Sequence, residues 1–396
     1  MTRALPSILI VDQSAEIGGA ELSMLDFATR YDGPLEICVL AEGPFAALAR
    51  ERGVAVSVIP LGKVSEIRRG DSGFSLMRVA SGLWSTGRRL GERARSFDLV
   101  IGNTLKAFVI AALARPLHRR PVVFHLHDLL TAEHFSLPLR IGVVLLARLA
   151  AWRAIMNSEA TAASFVKTGG RREQVRVVYN GIDPTPFEVV DRSAARAALI
   201  AETSLCAERP IVGVFSRLAE WKGQHVLLEA LARLSDVQAV IVGGPLFGED
   251  AYEARLRRLI SDFGLDGRVR MTGFRKDVPS LMCAVDVVLH TSTSAEPFGR
   301  VIVEGQLARK PVIATRAGGA VELIRDGETG ILVTPGDSAA LAEAIGGLVD
   351  RPDHARAMAE AGYGYATGHF LIDRHVANMR LALDIDAVDP TQEPMQ

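Results

Sequence analysis

Short runs of β-branched and other apolar residues recur along this chain, each separated from the next by a polar turn and a stretch with apolar positions at helical spacing. In the first half they are Ile8–Val11, Leu35–Leu40, Val54–Ile59, Leu99–Gly102, Pro121–His125, Ala154–Asn157 and Val175–Val178. In the second they are Pro210–Phe215, Ala239–Gly243, Val269–Thr272, Val285–His290, Pro311–Ala314 and Gly330–Val333. Strand alternating with helix predicts parallel, doubly wound α/β sheets. The pattern divides the chain into a domain over residues 1–183, a linker over 184–208 carrying a short Ala-rich helix at Arg192–Ala201, and a second domain over 209–370. A terminal helical segment over 371–386 follows, and residues 387–396 read as a frayed tail.

The polar residues that break this pattern gather where strands end. Gly18-Gly19-Ala20-Glu21 follows the first strand, either as a plain turn or as a backbone that comes close to a diphosphate. The Rossmann spacing G-x-G-x-x-G is absent, which weakens a dinucleotide reading. His125-Leu126-His127-Asp128 closes another strand and admits three readings: half a metal site that nothing else completes, a structural histidine, or an imidazole facing a ligand. Asn157-Ser158-Glu159 reads as an ordinary helix N-cap. In the second half Arg217 and Lys222 stand five apart across a turn, followed by Gly223, either as two surface cations or as a pair that can converge on a diphosphate at a helix start. Glu296 and Glu304 lie eight apart in Glu296-Pro297-Phe298-Gly299-Arg300-Val301-Ile302-Val303-Glu304, after a buried strand and into a helix. Free backbone N–H groups near residues 298 to 300 suit a phosphate, and Glu296 is expected in the loop, open to a polar ligand. Taken alone, Arg300 and Glu304 are also an i,i+4 pair of the kind found on solvated helices.

Together these segments resemble the GT4-type retaining glycosyltransferases, group 1, whose pattern recurs here in order from residue 8 to about residue 345. The resemblance implies a GT-B fold, two Rossmann-like domains facing across a cleft, with the terminal segment crossing back onto the first domain. It implies that Glu304 holds the donor ribose, that Glu296 lies by the donor sugar, and that Arg217 and Lys222 clamp the diphosphate. Gly18 and Gly19 contact the donor phosphate or sugar. Gly273, Phe274 and Arg275 receive the nucleobase, mainly through backbone groups, while Phe298, Gly299, Arg300 and Val301 complete the donor loop. Gly318-Gly319-Ala320-Val321-Glu322 resembles a turn beside the donor, with a plain connection as the alternative. His127 carries the family's sugar-contacting role, with Asn103, His125 and Asp128 on the acceptor or sugar side. The implied activity is transfer of a hexose-type sugar from a nucleoside-diphosphate sugar to an acceptor hydroxyl with retention. Front-side attack is preferred over double displacement, because no side chain stands out as a nucleophile. No cofactor and no metal are expected, Arg217 and Lys222 supplying the charge. A nucleotide-sugar epimerase or hydrolase on the same fold is the rival enzyme, and a bilobal sugar-binding protein the rival from another class.

Composition changes little in this picture. A chain of 396 residues, 48% hydrophobic and 23% charged, suffices for two cores. Cys38, Cys206 and Cys283 are too few and too dispersed for a disulfide framework or a zinc cluster, which fits a reducing cytoplasm. No secretory signal is read at the start, and the longest apolar stretch, Ile141–Trp152, is interrupted by Arg148 and too short to span a bilayer. Asp384-Ile385-Asp386 has a metal-binding D-x-D form, but no strand leads into it. Charge adds one feature. Residues 1–183 carry 23 Lys and Arg against 17 Asp and Glu, with twelve basic residues between Pro60 and Arg120, Lys63, Arg68, Arg69, Arg88, Arg89, Arg93 and Arg95 among them. Either these solvate helices, or they bring a lipid-linked or polyanionic acceptor and an anionic membrane to the first domain, with Leu83, Trp84 and Leu90 in apolar contact. A glycan or small-molecule acceptor stays open, nucleic acid is not expected, and oligomeric state is left unread.

Overall fold

The computed structural model describes residues 5–13, 16–61, 74–246 and 248–385. It forms two compact units, one of residues up to Gly181 together with those from Ile372, the other Ile182–Leu371.

The first unit holds a parallel seven-stranded sheet: β1 (Ile8–Asp12), β2 (Leu35–Val39), β3 (Ala55–Val58), β4 (Leu99–Gly102), β5 (Val122–Leu126), β6 (Ala151–Met156) and β7 (Val175–Val177), in the order β3-β2-β1-β4-β5-β6-β7. Ile8, Leu9, Ile10 and Val11 are all fully buried, as a strand covered on both faces requires. One face packs against a core containing Phe108 stacked on Phe124 at 4.0 Å, the other against a core around Phe27, Phe45 and Met379. Met379 belongs to the helix Ile372–Ala382, which brings the end of the chain back onto this unit.

The second unit holds a parallel six-stranded sheet: β8 (Ile211–Phe215), β9 (Gln238–Val242), β10 (Val269–Gly273), β11 (Val287–His290), β12 (Val312–Thr315) and β13 (Ile331–Val333), in the order β10-β9-β8-β11-β12-β13. Both sheets reverse direction once, between β1 and β4 and between β8 and β11. Open α/β sheets place ligands at the carboxyl ends of strands beside such a reversal, because the connections there leave in opposite directions and open a crevice.

All thirteen apolar runs are strands. The sixth begins three residues before the expected Ala154, because Ala151 and Arg153 pair with Val122 and Val123. Residues 184–208 are not a free linker: the helix Arg192–Thr203 packs on Val278–Ala284, with Arg196 donating to the Ala284 carbonyl at 2.9 Å and paired with Asp286 at 3.0 Å. Leu199, fully buried, shows why, since the helix needs the second unit to cover its apolar side.

The basic region also departs from expectation. Lys63, Arg68 and Arg69 lie outside the described residues, as does the Leu83 side chain. Along the helix Phe74–Ala94, Leu90 is buried in the core and Arg93 turns inward to form a bidentate pair with buried Glu36. Arg95 donates to the Leu117 carbonyl, and Arg88 pairs with Glu92. Arg88, Arg89 and Arg93 are all exposed on this helix, with Arg88 and Arg93 paired to carboxylates. Asp384 pairs with Arg153, and Asp386 lies outside the described residues.

Candidate active site

At the β8/β11 reversal, β8 delivers Ser216 and Arg217 and then a 3-10 turn, Glu220–Lys222; β11 ends in His290 and delivers the loop to Glu296. The two loops are stitched together. Thr291 Oγ1 donates to the Lys222 carbonyl at 2.8 Å, and the Thr293 amide to that of Trp221 at 2.8 Å. Gly223 closes the turn at φ 69°, and a Cβ there would stand 2.0 Å from the Thr291 carbonyl oxygen, so only glycine fits.

Glu296 is not open in its loop as its sequence context led us to expect: it is 8% exposed. Its Oε1 accepts from Lys222 Nζ at 2.8 Å, from His290 Nε2 at 2.8 Å and from Ser292 Oγ, while Oε2 takes no hydrogen bond from the protein. Burial alone would raise this carboxyl, but Lys222 and His290 outweigh it and hold the group well below the usual carboxylate range. Glu296 is thus an ionised, buried carboxylate with one oxygen fixed. Its backbone is fixed as well: the Gly319 amide donates to the Glu296 carbonyl at 2.8 Å. Gly318 sits at φ 59°, where a Cβ would stand 2.1 Å from that carbonyl oxygen. The Gly-Gly turn is therefore pressed onto the carboxylate loop.

Arg217 donates to Glu249 Oε2 at 2.7 Å, and the indole of Trp221 lies between the two cations, 4.3 Å from Lys222 Nζ and 5.5 Å from the Arg217 guanidinium carbon. Each contact with the ring adds a modest electrostatic attraction, about 0.5–1 kcal/mol. Gly299 caps the helix Arg300–Leu307 at φ 102°, and Glu304 stands about one turn in, 3.6 Å from Arg300. Val301 is half-buried beside it.

Two residues assigned to the donor have other contacts. Phe298 is buried with its ring against that of Phe370. Arg275 is held by Asp277 and Glu202 in a surface ion-pair network, with its pKa pushed up by those two carboxylates. Gly273 takes φ 70° with open space at its Cβ, and Phe274 is strongly exposed beside it.

At the β1/β4 reversal the polar groups are joined by hydrogen bonds instead of ion pairs with cations. Asn103 Nδ2 donates to Asp12 Oδ2 at 2.6 Å, which leaves Asn103 Oδ1 to accept from His127 Nε2 at 3.0 Å. Asn103 thereby fixes His127 with its proton on Nε2. The His125 Nδ1 is 3.2 Å from the same nitrogen. Burial, with His127 and His375 near, holds His125 well below the ordinary imidazole value, so it is uncharged, and its Nε2 has no hydrogen-bond partner. Burial also pushes Asp128 up. Gly18 precedes the helix Gly19–Ala28 in extended conformation, where a Cβ would stand 2.7 Å from a Glu21 carboxylate oxygen. Ser158 caps its helix through Oγ, accepting from the Thr161 amide at 3.0 Å.

The spacing of Arg217, Lys222, Glu296 and Glu304 located these residues, but their partners were missed. Trp221, Glu249, His290, Ser292 and, in the first unit, Asp12 carry no motif; a polar residue closing an apolar strand, as Asp12 and His290 do, was the signal available. Among the described residues, no group of three or more His, Cys, Asp or Glu is placed to hold a metal ion.

Two parallel Rossmann-like sheets, each with polar residues gathered at its reversal, define the GT-B class of fold. Residues 196–365 match the family profile described as Glycosyl transferases group 1, and residues 17–185 that described as Glycosyltransferase Family 4. Anabaena HepE, solved in complex with UDP and glucose, is 38% identical over 97% of this chain and 100% of its own, with a TM-score of 0.86. The lipopolysaccharide core biosynthesis glycosyltransferase LpsE of Rhizobium meliloti is 34% identical over 54% of this chain and 59% of its own. D-inositol 3-phosphate glycosyltransferase of Mycobacterium sp. is 35% identical over 50% and 45%. The chain matches about half the length of these curated relatives. It belongs to the group 1, GT4-type glycosyltransferases.

Proposed function

We propose that this chain transfers a hexose-type sugar, with retention, from a nucleoside-diphosphate sugar to an acceptor hydroxyl. The observation that carries the reading is the buried Lys222–Glu296 pair beside Arg217 at the β8/β11 reversal. Breaking the sugar–phosphate bond leaves positive charge on the sugar and negative charge on the departing diphosphate, and fixed cations stabilise that charge most when they are already in place. Lys222 is held by Glu296 and by its neighbouring ring, so it needs little reorganisation. Arg217 exchanges Glu249 for phosphate oxygens. Glu296 Oε2 is then the oxygen available to the donor sugar, Glu304 binds the ribose, and His127 offers its ring to the sugar on the acceptor side. Metal is not needed, because Arg217, Lys222 and the amides at Gly299 and Arg300 carry the electrostatic role. UDP is the first base to try, since HepE is described with UDP and UDP-glucose. A glycan or glycolipid acceptor is in keeping with LpsE.

The test is release of nucleoside diphosphate from a panel of donors, with and without acceptor, in the presence and absence of EDTA. Transfer that needs acceptor and survives EDTA supports the reading. Donor consumed equally without acceptor points to an epimerase or hydrolase, and activity abolished by EDTA and restored by Mg²⁺ or Mn²⁺ contradicts the metal-free role of the cations.

A further inference from the structure

The helix Leu137–Ala150 is apolar on both sides. Val143, Val144, Ala147 and Ala150 face the core of the first unit. On the other side Leu137, Ile141, Leu145 and Leu149, repeating every four residues, are 41% to 78% exposed. The helix Leu105–His118 packs alongside, with Arg115 Nη1 donating to the Leu149 carbonyl at 3.5 Å, and adds Leu113 at 58%. A helix apolar all round is normally covered all round, and exposed apolar side chains gathered on one surface mark an interaction site. This helix has 14 residues, too few to cross a bilayer, and no described helix is long and apolar enough to do so.

Charge selects the occupant. Neither helix contains Asp or Glu, while Lys106, Arg115, Arg119 and Arg148 are exposed on or directly beside them. Arg115 and Arg148 donate to backbone carbonyls, of Leu149 and Gly169, and none of the four cations meets a carboxylate, unlike Arg93 and Arg153. A second copy docked on the same patch would set these like charges against one another across a two-fold axis. An anionic lipid surface accepts both the leucines and the cations. We propose that the face formed by helices Leu137–Ala150 and Leu105–His118 docks the first unit on an anionic bilayer, with Ile141, Leu145 and Leu149 at the boundary of headgroups and acyl chains and the arginines against lipid phosphates. This rests on the surface alone, independently of the reaction proposed above, and places contact away from the helix Phe74–Ala94.

The full chain is sedimented with vesicles of phosphatidylcholine alone, or with one third phosphatidylglycerol, at low and high salt. Binding to the anionic vesicles only, weakened by salt, is expected. Leu145→Asp with Leu149→Asp should lower the partition coefficient at least tenfold. Arg115→Gln with Arg148→Gln should lower it about twentyfold, since one basic residue near such a surface contributes about fivefold. Thermal melts confirm that both variants fold, and the cation variant leaves the leucines intact should the other fail. Arg88→Gln with Arg89→Gln removes the same charge elsewhere and should leave binding near wild type. Absence of binding to anionic vesicles at low salt overturns the proposal, as does undiminished binding by the leucine variant or an equal loss with Arg88 and Arg89. A wild type that ignores vesicles but dimerises through the leucines assigns the face to a second copy instead.

Discussion

The two units use the same sheet reversal to build opposite chemistries. In the second, Arg217–Glu249 and Lys222–Glu296 are ion pairs, Glu296 of the latter buried; in the first, Asn103, His127 and His125 form a hydrogen-bonded chain ending on Asp12. Charge held in place suits a ligand that is itself charged. A hydrogen-bonded relay suits hydroxyls, whose recognition depends on which atom carries a proton. Under the proposed function the phosphate end of a donor falls to the second unit and a sugar or acceptor hydroxyl to the first.

The strongest way to break this comparison is at the backbone that supports the carboxylate. Gly318→Ala puts a Cβ 2.1 Å from the Glu296 carbonyl oxygen at a left-handed φ. A destabilisation on the order of 3–5 kcal/mol is expected from strain and clash together, read by denaturant unfolding. A melt unchanged from wild type would mean that the Gly-Gly turn does not press on the loop.

Next comes Glu296→Gln, which leaves half-buried Lys222 without its counter-charge and should cost about 2 kcal/mol. Because the folded carboxyl is depressed, its contribution is present above the ordinary value near 4.5 and is lost as pH falls through the lower, folded value. The variant should therefore lose stability at neutral pH yet show a shallower decline below pH 4.5. Equal acid limbs in both proteins would show that Glu296 is not held ionised.

These two residues also show what the sequence made legible. Resemblance to a family, more than spacing, singled out Glu296, Glu304, Arg217 and Lys222, while the apolar runs located all thirteen strands. Burial was not legible: Glu296 reads as loop because the residues that close over it, Lys222, His290, Ser292 and Gly318, come from three separate strand ends, those of β8, β11 and β12. Glu36 shows the same limit, a buried carboxylate whose partner Arg93, from the helix Phe74–Ala94, stays exposed. The hydrogen-bonded relay was only half visible, His127 standing out and Asp12 not, since a hydrogen-bond chain needs no motif, only adjacency of β1, β4 and β5.

A smaller effect sharpens the first unit. His125 is depressed by burial, so the stability it contributes is present above the ordinary imidazole value near 6.5 and falls as pH drops below it. Wild type should lose about 1 kcal/mol or more between pH 7 and pH 5 relative to His125→Leu, read as the difference between their pH–stability slopes. Buried His118 and half-buried His225 also lie below the ordinary value and are common to both proteins, so the difference isolates His125. Parallel slopes would place a charged imidazole there.

The smallest effect belongs to Arg275. Its surface pairs with Asp277 and Glu202 are worth under about 1 kcal/mol, and Arg275→Ala should leave nucleotide affinity unchanged. A tenfold loss of affinity would return its side chain to the donor.

The central claim, that the second unit alone supplies charge to the diphosphate, is tested most directly by titrating UDP calorimetrically into wild type, Arg217→Ala, Lys222→Ala and His127→Ala. The account predicts that the two cation variants weaken binding by about 1–3 kcal/mol each while His127→Ala binds as wild type and loses only turnover. Weakened binding in His127→Ala, with the cation variants unchanged, would contradict it.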